Sequence, residues 1–375
     1  MRHFARGIVL AGVDLAQEVS PSFARGAAGV RIRYCPPAGS TDPRAHTPTA
    51  LRAKIGTVRT SRTDRPTLPR LLLPIWAYPL VGVGAVLIAL LPWIRTGLRL
   101  PLQNLWATQT LPEDMPIVLL PLSQYYLGTI LALLVTAGLV GGIVARAAPP
   151  THRALSGGFT VAGAFLAMTF VCVQSALVLA EGLRTDETAS TYLTLVVAWT
   201  VLCSLGGLLI MALVTRAPRA GATVAVALAA PAVGTWAKAL LAPSPSLASP
   251  AVQTVIDYLH WLPAVLVGVV LAWCGVRTSG RIAAWVMSLV LLWVLPAVLT
   301  AITYVAGFRA AESLLESIGA GLDVLALALA PSIAGPPVLV AFAIGALGSV
   351  LIWALLFTRA RAADRRLHEA AHDQG

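Results

Sequence analysis

Lysine is nearly absent from this chain. Of its 27 basic residues only Lys54 and Lys238 are lysine, and Lys238 stands inside an apolar run, GTWAKALLAP, residues 234–243. An ammonium in such a place reaches a membrane surface with its long stem, pairs with a carboxylate, or contacts a substrate. The acids expected at a similar depth are Glu181 and Asp257. His260 follows Asp257 and Tyr258 at the start of another apolar run, and an adjacent pair of acids, Glu113 and Asp114, falls in a long connection before residue 123. Lys238, Glu181, Asp257, His260, Glu113 and Asp114 are the candidate polar residues, suited to proton transfer, ion pairing or anion contact.

Familiar catalytic signatures are missing. The chain has no GxxxxGK[ST], HExxH or GxSxG, and its four cysteines, Cys35, Cys172, Cys203 and Cys274, show no CxxC or metal spacing. Three of them lie in apolar segments and read as small buried hydrophobes. With one histidine at an apolar segment, a metal site has no support. No catalytic residue and no cofactor is expected.

The elements that must position these residues are membrane helices. Hydrophobic residues make up 57% of the chain and charged ones 11%, under half the charged share of a soluble domain, roughly 25%. A hydrocarbon core of about 30 Å needs roughly 20 apolar residues per helix. Eight runs qualify: 71–93, 123–145, 158–180, 191–215, 221–242, 259–276, 282–307 and 337–358. The expectation is an all-α, polytopic integral membrane bundle of about eight helices over 69–358. Before it comes a basic tail, 1–68, rich in Arg, Pro, Thr, Ser and Gly without periodicity and expected to be disordered, with a translation start inside it as the alternative. A basic C-terminal tail, 359–375, follows it.

Charge sets the expected orientation. The net +11 is concentrated in the N-terminal residues 1–70, where twelve Arg and Lys oppose four acids, so a nucleic-acid partner is not expected. Alternate connections carry Arg146 and Arg153, Arg216 and Arg219, and Arg277 and Arg281, with no acid. All nine acids between residues 71 and 358 fall in the opposite connections. The positive-inside rule then places both termini in the cytoplasm, which an even helix count requires. Arginine-dominated usage suggests a GC-rich, bacterial source, and hence a bacterial plasma membrane.

Counted from Gly221, Lys238 lies about 25 Å up its helix at 1.5 Å per residue, near the outer edge of the core and beside Trp236 in an expected aromatic belt. Gln124, Tyr125 and Tyr126, then Gln174 and Ser175, then Thr300, Thr303 and Tyr304 also cluster toward the outer side. They read as interfacial anchors or as the walls of an outward-facing polar cavity. Ser249 before Pro250 reads as an N-cap with a first-turn proline, so helix six is expected to start early. In 310–330 the residues Leu314, Ile318, Leu322, Leu325 and Leu329 recur at helical spacing opposite Glu312, Glu316 and Asp323. That predicts an amphipathic helix on the outer surface or capping the bundle.

In placing acids, Glu113 and Asp114 of EDMP, in the first outer loop, the chain resembles membrane glycosyltransferases that use polyprenyl-linked sugars. The resemblance implies a transferase with one of these carboxylates as base or metal ligand, and it covers those two residues only. Those enzymes usually have more helices. Without a catalytic constellation, the leading expectation is a non-enzymatic envelope scaffold or lipid-handling protein, whose partners are the bilayer and other membrane proteins. A permease-like transporter of a small substrate comes next and a membrane-bound transferase third. A transporter predicts a polar cavity reaching the bilayer midplane, a transferase a groove containing Glu113 or Asp114, and a scaffold a closed bundle.

Overall fold

Between Asp114 and Glu181 the chain contains no acid. Backbone placed in lipid has no water to bond with and satisfies its amides within a helix. The computed structural model describes residues 73–149, 151–242, 249–307 and 314–372. The tail 1–68, with Cys35, and the loop residues Arg309 and Glu312 lie outside the described residues. Among the described residues the helices are α1 Ala77–Ile94, α2 Leu127–Arg146, α3 Arg153–Gly182, α4 Glu187–Arg216, α5 Arg219–Leu241, α6 Pro250–Leu259, α7 Leu262–Cys274, α8 Ser279–Gly307, α9 Leu314–Ala328 and α10 Pro331–His372.

Eight helical stretches are long and apolar enough to cross a membrane, the sixth made of α6 and α7 together and the eighth ending at Arg359. This is the all-α architecture of a multi-pass membrane protein. The ends of α2, α4 and α7, and the starts of α3, α5 and α8, carry the paired arginines, and that side is called the basic end below. Ser249 caps α6, its Oγ accepting from the Val252 amide at 3.4 Å, with Pro250 in the first turn.

Lipid tails are as apolar as leucine, so helices in a membrane are held by close contact between small residues. Where α2 crosses α4, a Cβ on Gly138 would lie 2.0 Å from the Gly207 carbonyl oxygen, and one on Gly207 would lie 2.4 Å from that of Leu134. The backbones touch there, and no side chain fits between them. Gly82 and Gly163 make the same kind of crossing between α1 and α3.

The connection 95–123 is packed rather than solvated. Met115, Val118, Leu120 and Leu122 are fully buried and continue the core formed by α1, α2 and α3. Side chains supply the partners that its non-helical backbone lacks. The Leu119 amide donates to Gln174 Oε1 at 3.0 Å, the Leu120 amide donates to Ser175 Oγ at 2.8 Å, and Trp93 Nε1 donates to the Val118 carbonyl at 3.0 Å. Tyr192 Oη donates to Gln103 Oε1 at 2.6 Å. Gln174 and Ser175 therefore clamp a loop, and neither lines a cavity named below.

The amphipathic helix also sits differently from expectation. α9 neither lies flat on the surface nor caps the bundle; it runs antiparallel along α8. At its midpoint a Cβ on Gly321 would come within 2.3 Å of Val305 Cγ2, and just past its end Trp293 Nε1 donates to the Leu329 carbonyl at 3.1 Å. Contact therefore moves toward the basic end of α8 as the chain proceeds along α9. Its docking face centres on buried Gly321, while Ile318 and Leu322 of the apolar stripe point away from the bundle and are exposed, as lipid-facing side chains would be. A large residue on the Gly321 side would have kept α9 off.

Gly138→Leu should abolish monodisperse folded protein in gel filtration from detergent. Gly206→Leu, beside the same crossing but with open space at its Cβ position, should keep the yield within about twofold of the parent. Equal yields would mean that the α2–α4 crossing does not hold the bundle.

Candidate functional site: a proline-lined cavity at Lys238

α5, the α6–α7 joint, α8 and the start of α10 surround a cavity of about 450 Å³. Each contributes a proline to its lining: Pro231, Pro263, Pro296 and Pro337. A proline has no amide for the carbonyl one turn earlier and pushes the chain away from it. In α5, α8 and α10 the carbonyls so released belong to Ala227, Leu292 and Ile333, and the last two residues themselves line the cavity, whereas Pro263 stands in the first turn of α7, where no helical bond is lost. Helices parted in this way leave room that straight ones would close.

Distances along the helices give its depth. At 1.5 Å per residue, Pro231 lies about 18 Å beyond Arg219, Pro263 about 16 Å before Cys274, and Trp293 about 18 Å beyond Arg281. Three helices thus place the floor just past the middle of a core of about 30 Å. From there the cavity extends past Thr300 and Thr303 toward the end opposite the arginines. The turn between α9 and α10 borders the floor through Ala328, Ile333 and Ala334. Irregular backbone at such a depth is stable where it lines a cavity or meets a donor, and the Trp293 indole is the donor for Leu329.

The walls are mostly apolar and the polar groups few. Thr235, Thr300 and Thr303 donate their hydroxyl protons to their own helices, to the carbonyls of Pro231, Pro296 and Leu299 at 3.2, 2.8 and 2.9 Å. Only acceptor capacity remains on those oxygens. Lys238, half-buried in the last turn of α5, supplies the positive charge, and the negative end of the helix dipole favours it there. His260, at the α6–α7 joint, lines the same cavity with its ring edge-on to Trp261 at 5.9 Å.

Of the six sequence candidates the fold brings together Lys238 and His260. Among the described residues Lys238 has no ion-pair partner; the ion pair found there joins Arg184 to Asp186 at 3.5 Å. Glu181 is exposed at the end of α3, whose neighbours are α1, α2 and α4. Asp257 is exposed on α6 and accepts from Gln253 Nε2 at 3.2 Å. Neither acid lines the cavity. Glu113 and Asp114 are exposed on a short 3₁₀ turn, Pro112–Asp114, and line neither this cavity nor two smaller ones of about 220 and 200 Å³ beside Arg99 and Gln103. Trp236 is more than an interfacial anchor: its indole donates to the Ala89 carbonyl at 2.8 Å and ties α5 to α1.

Among the described residues no group of His, Cys, Asp and Glu could hold a metal ion. Cys203 and Cys274 are buried and Cys172 half-buried. Sequence reasoning missed the prolines, although one in each of four apolar spans was the available signal, and it missed Trp293, whose role depends on a helix it contacts only after folding. Comparison of the chain with protein-family models, with curated proteins and with solved structures returns no match.

Trp293→Phe should leave the Leu329 carbonyl without its indole donor and lower the detergent-solubilised Tm by several degrees, equivalent to roughly 1–2 kcal/mol. Hydrogen exchange should rise in α9 and the first turn of α10. Trp353→Phe, at an exposed ring stacked on Phe357, is the control and should leave both readouts unchanged.

Proposed function

We propose that this chain is a non-enzymatic lipid-handling protein that takes an anionic amphiphile into the cavity at Lys238. One observation carries the reading: an ammonium without a carboxylate partner among the described residues lines an otherwise largely apolar cavity. Lys238 offers three N–H donors and a compact charge to a phosphate or carboxylate. His260 adds a second polar contact. The apolar walls of α5, α7, α8 and α10 then accept hydrocarbon that a water-filled site would repel. A closed structural scaffold has no use for such a cavity.

A permease-like transporter is the second reading. It is favoured by the two helix interruptions, at α6–α7 and α9–α10, that border the same cavity, an arrangement that suits substrate binding between membrane helices. The transferase reading has less support, because Glu113 and Asp114 stand apart from the cavities described. The membrane is proposed to be a bacterial plasma membrane, with the basic end and both termini in the cytoplasm, on the strength of the acid-free arginine connections.

Protein purified from its native membrane should carry about one anionic amphiphile per chain. Lys238→Gln should lower that occupancy about tenfold, and Lys238→Arg, whose guanidinium can turn to the carbonyls that end α5, should lower it by less. A benzophenone side chain at Thr300 should crosslink to the same molecule. Undiminished occupancy in Lys238→Gln, at unchanged Tm, refutes the lipid reading; flux of a water-soluble solute in proteoliposomes, lost in that variant, would put the permease first. Orientation is tested separately. Cysteine at Thr185 should label from outside intact cells and cysteine at Ala217 should not, and the reverse pattern would invert the bundle.

A further inference from the structure

At the basic end the ends of α2, α4 and α7 meet the starts of α3 and α5. Arg146 Cζ lies 5.0 Å and Arg219 Cζ 5.5 Å from the centre of the Trp273 ring. Arg153 is within electrostatic range of Arg146. Among the described residues no carboxylate pairs with any of these three guanidiniums.

Part of the cluster has structural work. Arg146 donates to the carbonyls of Val214 and Ala217, closing the end of α4, and Arg153 Nη2 reaches the Ala148 carbonyl at 3.4 Å. This leaves much unmet. Arg153 Nε is buried and makes no hydrogen bond. Arg219 makes none of the side-chain hydrogen bonds to backbone that hold Arg146, and its contact is with the Trp273 ring. Arg153 and Arg219 each open a long helix, α3 and α5, where the dipole's positive end disfavours a cation and favours an anion. One aromatic face offsets two guanidiniums only in part. Three positive charges and two helix N-termini therefore converge with no carboxylate among the described residues to balance them.

The neighbours indicate what bears that anion. Val269 and Trp273, one turn apart, lie on one exposed face of α7, and Ile143, one turn before Arg146, is exposed as well. A free inorganic anion has no use for an apolar track, whereas a lipid has its acyl chain to place there. We infer that Arg146, Arg153 and Arg219 beside Trp273 bind the phosphate of an anionic phospholipid in the leaflet at the basic end, its chain running inward along Val269. The site is remote from Lys238 and does not rest on the reading of that cavity.

The test uses the full chain in phosphatidylcholine nanodiscs containing a minority of phosphatidylglycerol, with benzoylphenylalanine at Val269 and mass analysis of the photo-adducts. Phosphatidylglycerol adducts should exceed the bulk lipid ratio about tenfold. Arg153→Gln with Arg219→Gln should return the adducts to that ratio, and Arg219→Gln alone, which removes no backbone hydrogen bond, should lower the excess about threefold. Arg219→Lys should fall between this variant and the parent, because it keeps the charge and loses the fork. Lys238→Gln should leave the excess intact, which separates this site from the cavity. Adducts at the bulk ratio in the parent, or an undiminished excess in Arg219→Gln, overturn the inference. Competition by millimolar inorganic phosphate that removes the excess would overturn the lipid assignment in favour of free phosphate.

Discussion

The structure depends on a constraint of the solvent: in hydrocarbon, a backbone carbonyl or amide without a helical partner must find another donor or acceptor in the protein. At several places where regular helix gives way in the described residues, a side chain answers. Gln174 and Ser175 hold the amides of the connection 95–123, and Trp93 takes one of its carbonyls. Trp293 takes the carbonyl at the α9–α10 turn, Trp199 donates to Leu127 where α2 begins, and Arg95 closes the end of α5 at Leu240. Residues that composition alone assigns to an interfacial belt are here fixed partners of broken backbone. Because the Leu329 carbonyl is satisfied in this way, the α9–α10 turn can sit deep in the bundle and border a cavity.

The same constraint separates what was legible in the sequence from what was not. Span number and approximate boundaries follow from apolar run length, which reports on one helix at a time, and Ser249–Pro250 was readable because a cap is local. The burial of 95–123 was not readable. Its apolar residues alternate irregularly, and its stability comes from Gln174 and Ser175, more than fifty residues on in sequence. The position of α9 was hidden for a related reason: its most apolar stripe was expected to dock, but in lipid the largest side chains gain little by docking, and the small residue Gly321 allows the closer approach.

Lys238 shows how far site reasoning reaches without a fold. Its depth could be counted from Gly221, and depth alone accounts for a lysine that extends to the surface. The counting could not show that His260 and three threonines share its cavity, because α5, α7 and α8 come together only through packing. The pairing with Glu181 or Asp257 assumed that equal depth means proximity, yet Glu181 belongs to a helix packed among α1, α2 and α4.

Arginine usage takes on a physical meaning once these contacts are seen. Arg99, Arg146, Arg153 and Arg216 each donate to backbone carbonyls, at Met115, Ala217, Ala148 and Ala154 among others, and Arg95 does so at Leu240. A planar fork with five donors suits carbonyl capping because it can hold one or two acceptors and still present charge. At position 238 that property is a disadvantage. An arginine on the last turn of α5 has carbonyls within reach, and bonding to them would turn the charge away from the cavity. Lysine, with one compact ammonium on a flexible stem, forms no such cap here and keeps its charge available. At position 238 the chain therefore carries an unengaged cation rather than a structural one, beside a cavity of about 450 Å³ lined by a proline from each of four spans.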